Sequence, residues 1–272
     1  MIKDITLGQY FPGTSVVHRL DPRMKIILLI VQIVSLFVAH SIVSYVTVTV
    51  ATLAFVWLTK VPFKLYLRGL KPLFLIVVFT TLLNLFYSTG DNVLVQFWII
   101  RITAEGVKNA VFMVIRIMML VITTSMLTYT TSPIVIAEGL ERLLSPLAKL
   151  KIHVHEFSMM MTVALRFIPT LLEETDKIMS AQKARGADFE TGGLIKRAKA
   201  LMPILIPLFV SSFRHAEELA VAMECRCYTG SGEGRTRLTV YELSARDWIA
   251  FAVCTAVAVS AVLLNNVLIF GM

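Results

Sequence analysis

The sequence predicts an all-α integral membrane protein, with about five transmembrane helices and a large cytoplasmic region of long amphipathic helices. Three observations predict it. Apolar residues make up 57% of the chain and charged residues only 16%, where a soluble domain carries about 25% charged. Mean hydropathy is +0.76, so much of the surface faces something other than water. The long apolar runs fall into two groups, four before residue 130 and one at the C-terminus, separated by a polar-punctuated stretch.

The expected spans are Met24–Ala39, Ile42–Leu58, Pro72–Tyr87, Val107–Tyr129 and Trp248–Phe270. A crossing helix needs roughly 17–25 residues, so the first three are short. Ser41 leaves only a tight turn between the first two, which reads as a transmembrane hairpin. No signal-peptide layout precedes Lys25, so insertion is expected to be directed by the first membrane helix. This divides the chain into an N-terminal membrane region (1–130) with four spans, a cytoplasmic region (131–246), and a C-terminal span (247–272).

The basic residues set the orientation. Lys3, Arg19, Arg23 and Lys25 precede the first span, and Lys60, Lys64, Arg68 and Lys71 follow the second. Arg101 alone lies between the third and fourth, fifteen Lys/Arg lie between the fourth and fifth, and none follows. Positive loops stay inside. The N-terminus and residues 131–246 are expected in the cytoplasm and the C-terminus outside. Because these cations are spread along the chain, the net charge of +8 does not point to nucleic acid.

Within the cytoplasmic region, Ser132-Pro133 reads as an N-cap and first-turn proline of a short helix ending near Leu144. A second helix is expected from His155 to Arg185, stopped by Gly186, and a third from Leu194 to Cys227. Pro169 is expected to kink the one, Pro203 and Pro207 to bend the other. Gly192-Gly193 separates them, and Tyr228–Gly234 forms a flexible connector to the last span. Both long helices carry wide apolar faces at helical spacing.

Their ends echo one another. Ala181-Gln-Lys-Ala-Arg-Gly186 and Ala222-Met-Glu-Cys-Arg-Cys227 both read Ala-x-charged-small-Arg-small, 41 residues apart. Each arginine continues the stripe of its helix where a partner could be met. A cation at a helix C-terminus favours the macrodipole by only about 0.3–1 kcal/mol, and that alone would not require two matched ends. A planar, permanently charged fork flanked by small residues suits docking into a partner's groove.

Catalytic and metal-binding signatures do not assemble. No phosphate-binding loop occurs, since Gly230–Thr236 lacks the lysine and the following helix. His153, His155 and Glu156 miss the zinc-binding spacing and read as a solvated helix start. Glu173-Glu174 and Glu217-Glu218 have no arginine at the offset an intramembrane protease would need. Cys225 and Cys227 are too close to bridge well in a helix, and Cys254 stands apart. No metal site and no cofactor are expected. Arg116 falls inside the fourth span, where a charge costs about 2.5–3.5 kcal/mol on insertion scales; it is expected to stabilise helix packing, with Asn84 a conceivable partner.

The stretches Thr130-Thr-Ser-Pro133, Leu140-Glu-Arg-Leu-Leu-Ser-Pro-Leu147, Ala164-Leu-Arg-Phe-Ile-Pro169 and Gln182-Lys-Ala-Arg-Gly-Ala-Asp188 resemble the transmembrane T component (EcfT type, CbiQ-like) of energy-coupling-factor (ECF) transporters. The resemblance covers residues 14–270 in layout and is most specific at 130–228. It implies a non-catalytic coupling subunit of an ATP-driven importer, with ATP bound by partner subunits. Two coupling helices would insert Ala184-Arg185-Gly186 and Cys225-Arg226-Cys227 into grooves on two ABC-type ATPase subunits. The second motif departs from the family pattern, with cysteines in place of Ala and Gly. An exchangeable substrate-binding S component would rest on Phe157, Met160, Met161, Ala164, Ile168, Leu205, Leu208 and Phe209. The resemblance also favours a general vitamin-importing module over a dedicated transition-metal system. The alternative class, a self-sufficient secondary transporter, usually shows repeated transmembrane halves and broken helices at mid-bilayer; here the one repeat lies outside the spans.

Overall fold

The computed structural model describes residues 10–87, 93–97, 100–146, 154–189, 193–228, 230 and 241–269. Gly192, the glycines of the 231–234 connector, His153 and the end of the last span at Phe270 lie outside the described residues. The chain forms two compact units, Gly8–Leu140 with Thr239–Met272 and Met1–Leu7 with Glu141–Leu238.

The first unit is a helical bundle of α1 (Pro22–Val38), α2 (Ile42–Thr59), α3 (Phe63–Leu70), α4 (Phe74–Tyr87), α5 (Ala104–Thr130) and α9 (Ala245–Ile269). It is the membrane unit: the segments Ile42–Thr59, Phe63–Leu85, Ala104–Thr130 and Ala245–Asn265 are long and apolar enough to cross a bilayer. At 17 residues, α1 sits at the lower limit of a crossing helix. The fold is therefore the all-α membrane architecture that the hydropathy predicts. Among the described residues, a short antiparallel hairpin, β1 (Val93–Phe97) with β2 (Ile100–Thr103), lies between α4 and α5.

Four spans start earlier than the sequence reading, α1 at Pro22, the third at Phe63, α5 at Ala104 and α9 at Ala245. The third span begins at Phe63, not Pro72. The basic residues 64–71 interrupt the apolar run, but Tyr66, only 1% exposed, packs edge-on against Tyr129 at 5.2 Å and lies 3.2 Å from Thr59 Oγ1. That anchor holds α3 as helix, and Pro72 is absorbed in a single 3₁₀ turn, Lys71–Leu73. In α5 the start is Ala104, because Thr103 caps it by accepting the Gly106 N–H at 3.1 Å. A cap precedes the first apolar residue of its helix.

One end of the bundle carries the N-termini of α1, α3 and α9 and the C-termini of α2 and α5. Asp21 caps α1 by accepting the Arg23 N–H at 2.9 Å, and its carboxylate also holds the Arg23 guanidinium. Asp247, 2% exposed, is the third residue of α9 and accepts the Ser244 N–H at 2.8 Å, the acid half of a capping box with an Asp in the acid position. Its other oxygen accepts the Asp21 N–H at 2.8 Å, so one carboxylate caps two helices. Lys25, 7% exposed, donates to the carbonyls of His18 (3.0 Å) and Thr130 (3.2 Å) and to Thr131 Oγ1 (3.0 Å). It thereby ties α1 to the terminal carbonyl of α5. Arg19, Lys60, Lys64, Arg68, Lys71 and Arg246 also lie towards this end.

At the opposite end, Asn265 of α9 closes the α1–α2 turn. Its Oδ1 accepts the N–H groups of His40 (3.0 Å) and Ser41 (2.9 Å), and its Nδ2 donates to the Val38 carbonyl. Between the ends, Leu36, Val48 and Ala261 are fully buried where α1, α2 and α9 meet. Gln32 Nε2 donates to Thr52 Oγ1 at 2.7 Å, which satisfies the polar pair in that apolar layer. α6 (Pro133–Leu144) approaches α1 so closely at Gly139 that a Cβ there would lie 2.9 Å from Pro22.

Arg116 does not pair with Asn84. Asn84 Nδ2 donates to Thr80 O and to Met113 Sδ, whereas Arg116 donates to the Tyr45 hydroxyl and, at 3.4 Å, to the Ala39 carbonyl. Its guanidinium lies 5.5 Å from the Phe37 ring and 5.6 Å from the Tyr45 ring, so two aromatic faces shelter the charge.

Asp247→Ala strands the buried Asp21 N–H and frees the exposed Ser244 N–H to solvent; it is expected to destabilise the unit by about 1–3 kcal/mol, measured as a lowered thermal-unfolding midpoint in detergent. Arg116→Leu leaves the buried Tyr45 hydroxyl without its donor and is expected to cost about 1–3 kcal/mol in the same measurement.

Candidate coupling interface

The second unit is built on two helices of 31 residues each, α7 (Val154–Ala184) and α8 (Leu194–Glu224). Each is about 46 Å long at ~1.5 Å per residue. Pro169 lies inside α7, and Pro203 and Pro207 lie inside α8, without ending either helix.

The helices pack antiparallel. Phe167 stacks on His215 at 6.3 Å, Glu174 accepts from Ser211 Oγ and lies 3.6 Å from His215 Nε2, and Gln182 reaches Pro203. The last contact has a backbone cause. Pro207 has no N–H to give to the carbonyl four residues earlier, and Gln182 Nε2 donates to that Pro203 carbonyl at 3.4 Å. The proline thus creates the acceptor that anchors the end of α7. Beyond His215 the helices leave a groove of about 540 Å³, bordered by Met160, Val163, Leu171, Ala216, Leu219 and Met223.

Both helices end by the same construction. In α7 the Ala187 N–H donates to Gln182 O at 3.0 Å and the Gly186 N–H to Lys183 O at 3.0 Å. In α8 the Tyr228 N–H donates to Met223 O at 3.0 Å and the Cys227 N–H to Glu224 O at 2.8 Å. This paired 6→1 and 5→2 pattern is the Schellman cap. It puts Gly186 at φ 86° and Cys227 at φ 56°, both left-handed. Cysteine occupies a backbone conformation that costs an L-residue about 1–2 kcal/mol, and the end keeps its shape nonetheless.

Arg185 and Arg226 occupy the same position in the two caps, immediately before the left-handed residue. Both are exposed, as are Ala184, Gly186, Cys225 and Cys227. Neither guanidinium has a hydrogen bond or ion pair among the described residues. Antiparallel packing sends the two arginines to opposite ends of the helix pair.

The apolar residues expected at the S-component contact divide by exposure. Phe157 (54%), Met160 (62%), Met161 (41%), Leu205 (56%) and Phe209 (65%) are open, as is Ala164, while Ile168 and Leu208 are half-buried. Phe209 packs on Phe213 at 4.7 Å. His155 lies in the first turn of α7, as the sequence reading has it, and is half-buried; its Nδ1 lies 3.0 Å from Glu141, which also accepts from the buried Ser158 hydroxyl at 2.8 Å. The Glu141 carboxylate therefore sits at the first turn of α7, where the helix dipole favours an anion. Sequence reading missed this pairing and the Asp247 cap; Ser244-x-x-Asp247 before an apolar run was the available signal for the latter.

Apolar helices of crossing length in one unit, and two long helices with matched cationic ends in the other, define a multi-pass helical membrane protein. Residues 13–238 match a family model described as CbiQ, cobalt transport protein. The chain is 51% identical to an energy-coupling factor transporter transmembrane protein EcfT of Clostridium kluyveri over 98% of both chains. It is 48% identical to one from Ruminiclostridium cellulolyticum, covering 99% of this chain and 100% of the relative. A Bacillus subtilis relative of the same name is 45% identical over 99% of each. The chain belongs to the CbiQ family as a T component of the ECF type, a multi-pass, non-catalytic transport subunit.

The two helix ends make opposite forecasts under substitution. Cys227→Gly relieves the left-handed cysteine and is expected to raise stability by about 0.5–1 kcal/mol. Gly186→Ala is expected to lower it by about 1 kcal/mol through backbone conformation alone, since no atom lies within 4 Å of the added Cβ. Thermal unfolding of the two variants in detergent measures both.

Proposed function

We propose that this chain couples ATP hydrolysis by two ABC-type ATPase subunits to uptake through an exchangeable S component. The observation that carries the reading is the pair of matching helix caps, each presenting an exposed arginine with no partner among the described residues, at opposite ends of one antiparallel helix pair. Two equivalent ATPases need two equivalent docking tips held apart. Residues Ala184-Arg185-Gly186 and Cys225-Arg226-Cys227 are those tips. Each guanidinium offers a planar fork to carboxylates or carbonyls of a groove.

Orientation follows from charge. The bundle end that carries most of the basic residues faces the cytoplasm, which places the N-terminus and residues 131–246 inside and the C-terminus outside. ATP is held by the partner subunits, and this chain needs no cofactor of its own. Closure of the ATPases draws the tips together, and the movement passes through the Phe167–His215 and Glu174–Ser211 crossing as a rigid-body shift. Phe157, Met160, Met161, Ala164, Ile168, Leu205, Leu208 and Phe209 carry that shift to the S component. Methionines in this set repack readily, which suits partners of different sequence. The cargo is a vitamin or a transition-metal ion, chosen by the S component.

Arg185→Glu with Arg226→Glu is expected to lower ATPase recovery in a detergent pull-down at least tenfold, because reversing a docked charge costs on the order of 2–5 kcal/mol. The chain itself should still insert, and each single variant should lose part of the recovery. Full ATPase recovery together with full uptake in the double variant would overturn the proposal.

A further inference from the structure

The corner between α2 and α3 has features that ATPase docking and membrane orientation leave unused. Lys60 ends α2 in the left-handed conformation, with φ 57°. Lys64, Arg68 and Lys71 follow at spacings of four and three, so they share one face of the helical segment. All four are exposed, and no side-chain hydrogen bond or ion pair engages any of them among the described residues. No Asp or Glu occurs between Asp21 and Asp91, so nothing in the local sequence offsets this charge.

A second, apolar stripe runs beside the basic one. Phe63 (50% exposed), Leu67 (51%) and Phe74 (69%) form it, while Tyr66 turns to the core. Next to it lies a groove of about 720 Å³ bordered by Val16, Leu53, Trp57, Leu58, Lys60 and Phe63. Trp57, 80% exposed, stands at the end of a span, the level at which tryptophan sits in a bilayer.

We propose that this corner binds an anionic phospholipid, with the phosphate against Lys60, Lys64, Arg68 and Lys71 and an acyl chain in the groove beside Trp57. Orientation of the chain requires only a number of cations in the loop. It does not require their alignment on one face, nor an open apolar groove that begins at one of them. Four uncompensated cations call for an anion, and the exposed aromatic and aliphatic side chains around them call for hydrocarbon. One molecule carries both.

The test uses the full chain in a neutral maltoside detergent, titrated with phosphatidylglycerol or with phosphatidylcholine of the same acyl chains, and read by thermal shift. The wild type should respond to phosphatidylglycerol at concentrations at least tenfold lower than to phosphatidylcholine. Lys64→Gln/Arg68→Gln/Lys71→Gln should weaken the phosphatidylglycerol response about a hundredfold, as loss of three surface cations implies, with its melting temperature in phosphatidylcholine unchanged. Lys60→Asn retains a residue that tolerates the left-handed turn and should weaken the response about fivefold; it keeps the test valid if the triple variant fails to fold. Equal responses of the wild type to both lipids, or an undiminished phosphatidylglycerol response in the variants, would overturn the proposal. So would full competition by inorganic phosphate at millimolar concentration, which would mark a free-anion site. Loss of co-purified protein partners from the variants with the lipid response intact would overturn it as well, in favour of a protein surface.

Discussion

A helix leaves its first four N–H groups and its last four C=O groups without partners in its own ladder. Where little water reaches them, each must find a partner elsewhere in the chain or cost several kcal/mol. The contacts that define this protein answer that constraint. Lys25 takes the last carbonyl of α5, Asp247 takes N–H groups at the starts of α1 and α9, and Asn265 closes the α1–α2 turn. Apolar packing between the helices is weakly directional, since lipid is as apolar as leucine. The capping residues set which helix ends lie together, and so set the bundle.

The same constraint, met differently, shapes the ends of α7 and α8. At the ends of α7 and α8 the orphan carbonyls are satisfied by the chain turning back on itself through a left-handed residue. That closure leaves the preceding arginine exposed, with no hydrogen bond or ion pair among the described residues. A helix that frayed would let the guanidinium wander; a Schellman cap fixes the backbone from which it extends. The Gln182–Pro203 bond does similar work at the crossing, where a proline's missing donor becomes a fixed point for the neighbouring helix. Rigid ends on rods of about 46 Å can transmit a displacement that a flexible loop would dissipate.

The bundle also shows why charge distribution in a membrane protein has more than one reading. Arg23 and Lys25 are engaged by carboxylate or carbonyl partners and hold helix ends together. Lys60, Lys64, Arg68 and Lys71 occupy the same end of the bundle and are exposed, with no such partner among the described residues. A count of positive residues treats these two groups alike. Only their surroundings separate a structural cation from one available to a ligand.

Much was legible in the residues themselves. Apolar runs of crossing length, basic loops in alternation, and the extents of α6, α7 and α8 follow from periodicity, proline and glycine, which act over a few neighbours. The repeated Ala-x-charged-small-Arg-small ends were visible for the same reason, as was the family. Other features depend on residues far apart in the chain. Tyr66 holds α3 helical against Tyr129, Arg116 finds Tyr45 and not Asn84, and His155 finds Glu141, all through contacts that no local pattern encodes. Cys227 lies between these cases. Its neighbours specify a helix end, but a cysteine does not announce a left-handed turn. The backbone pairing that puts it there outweighs the side chain's own preference, and that balance is struck only in the folded helix.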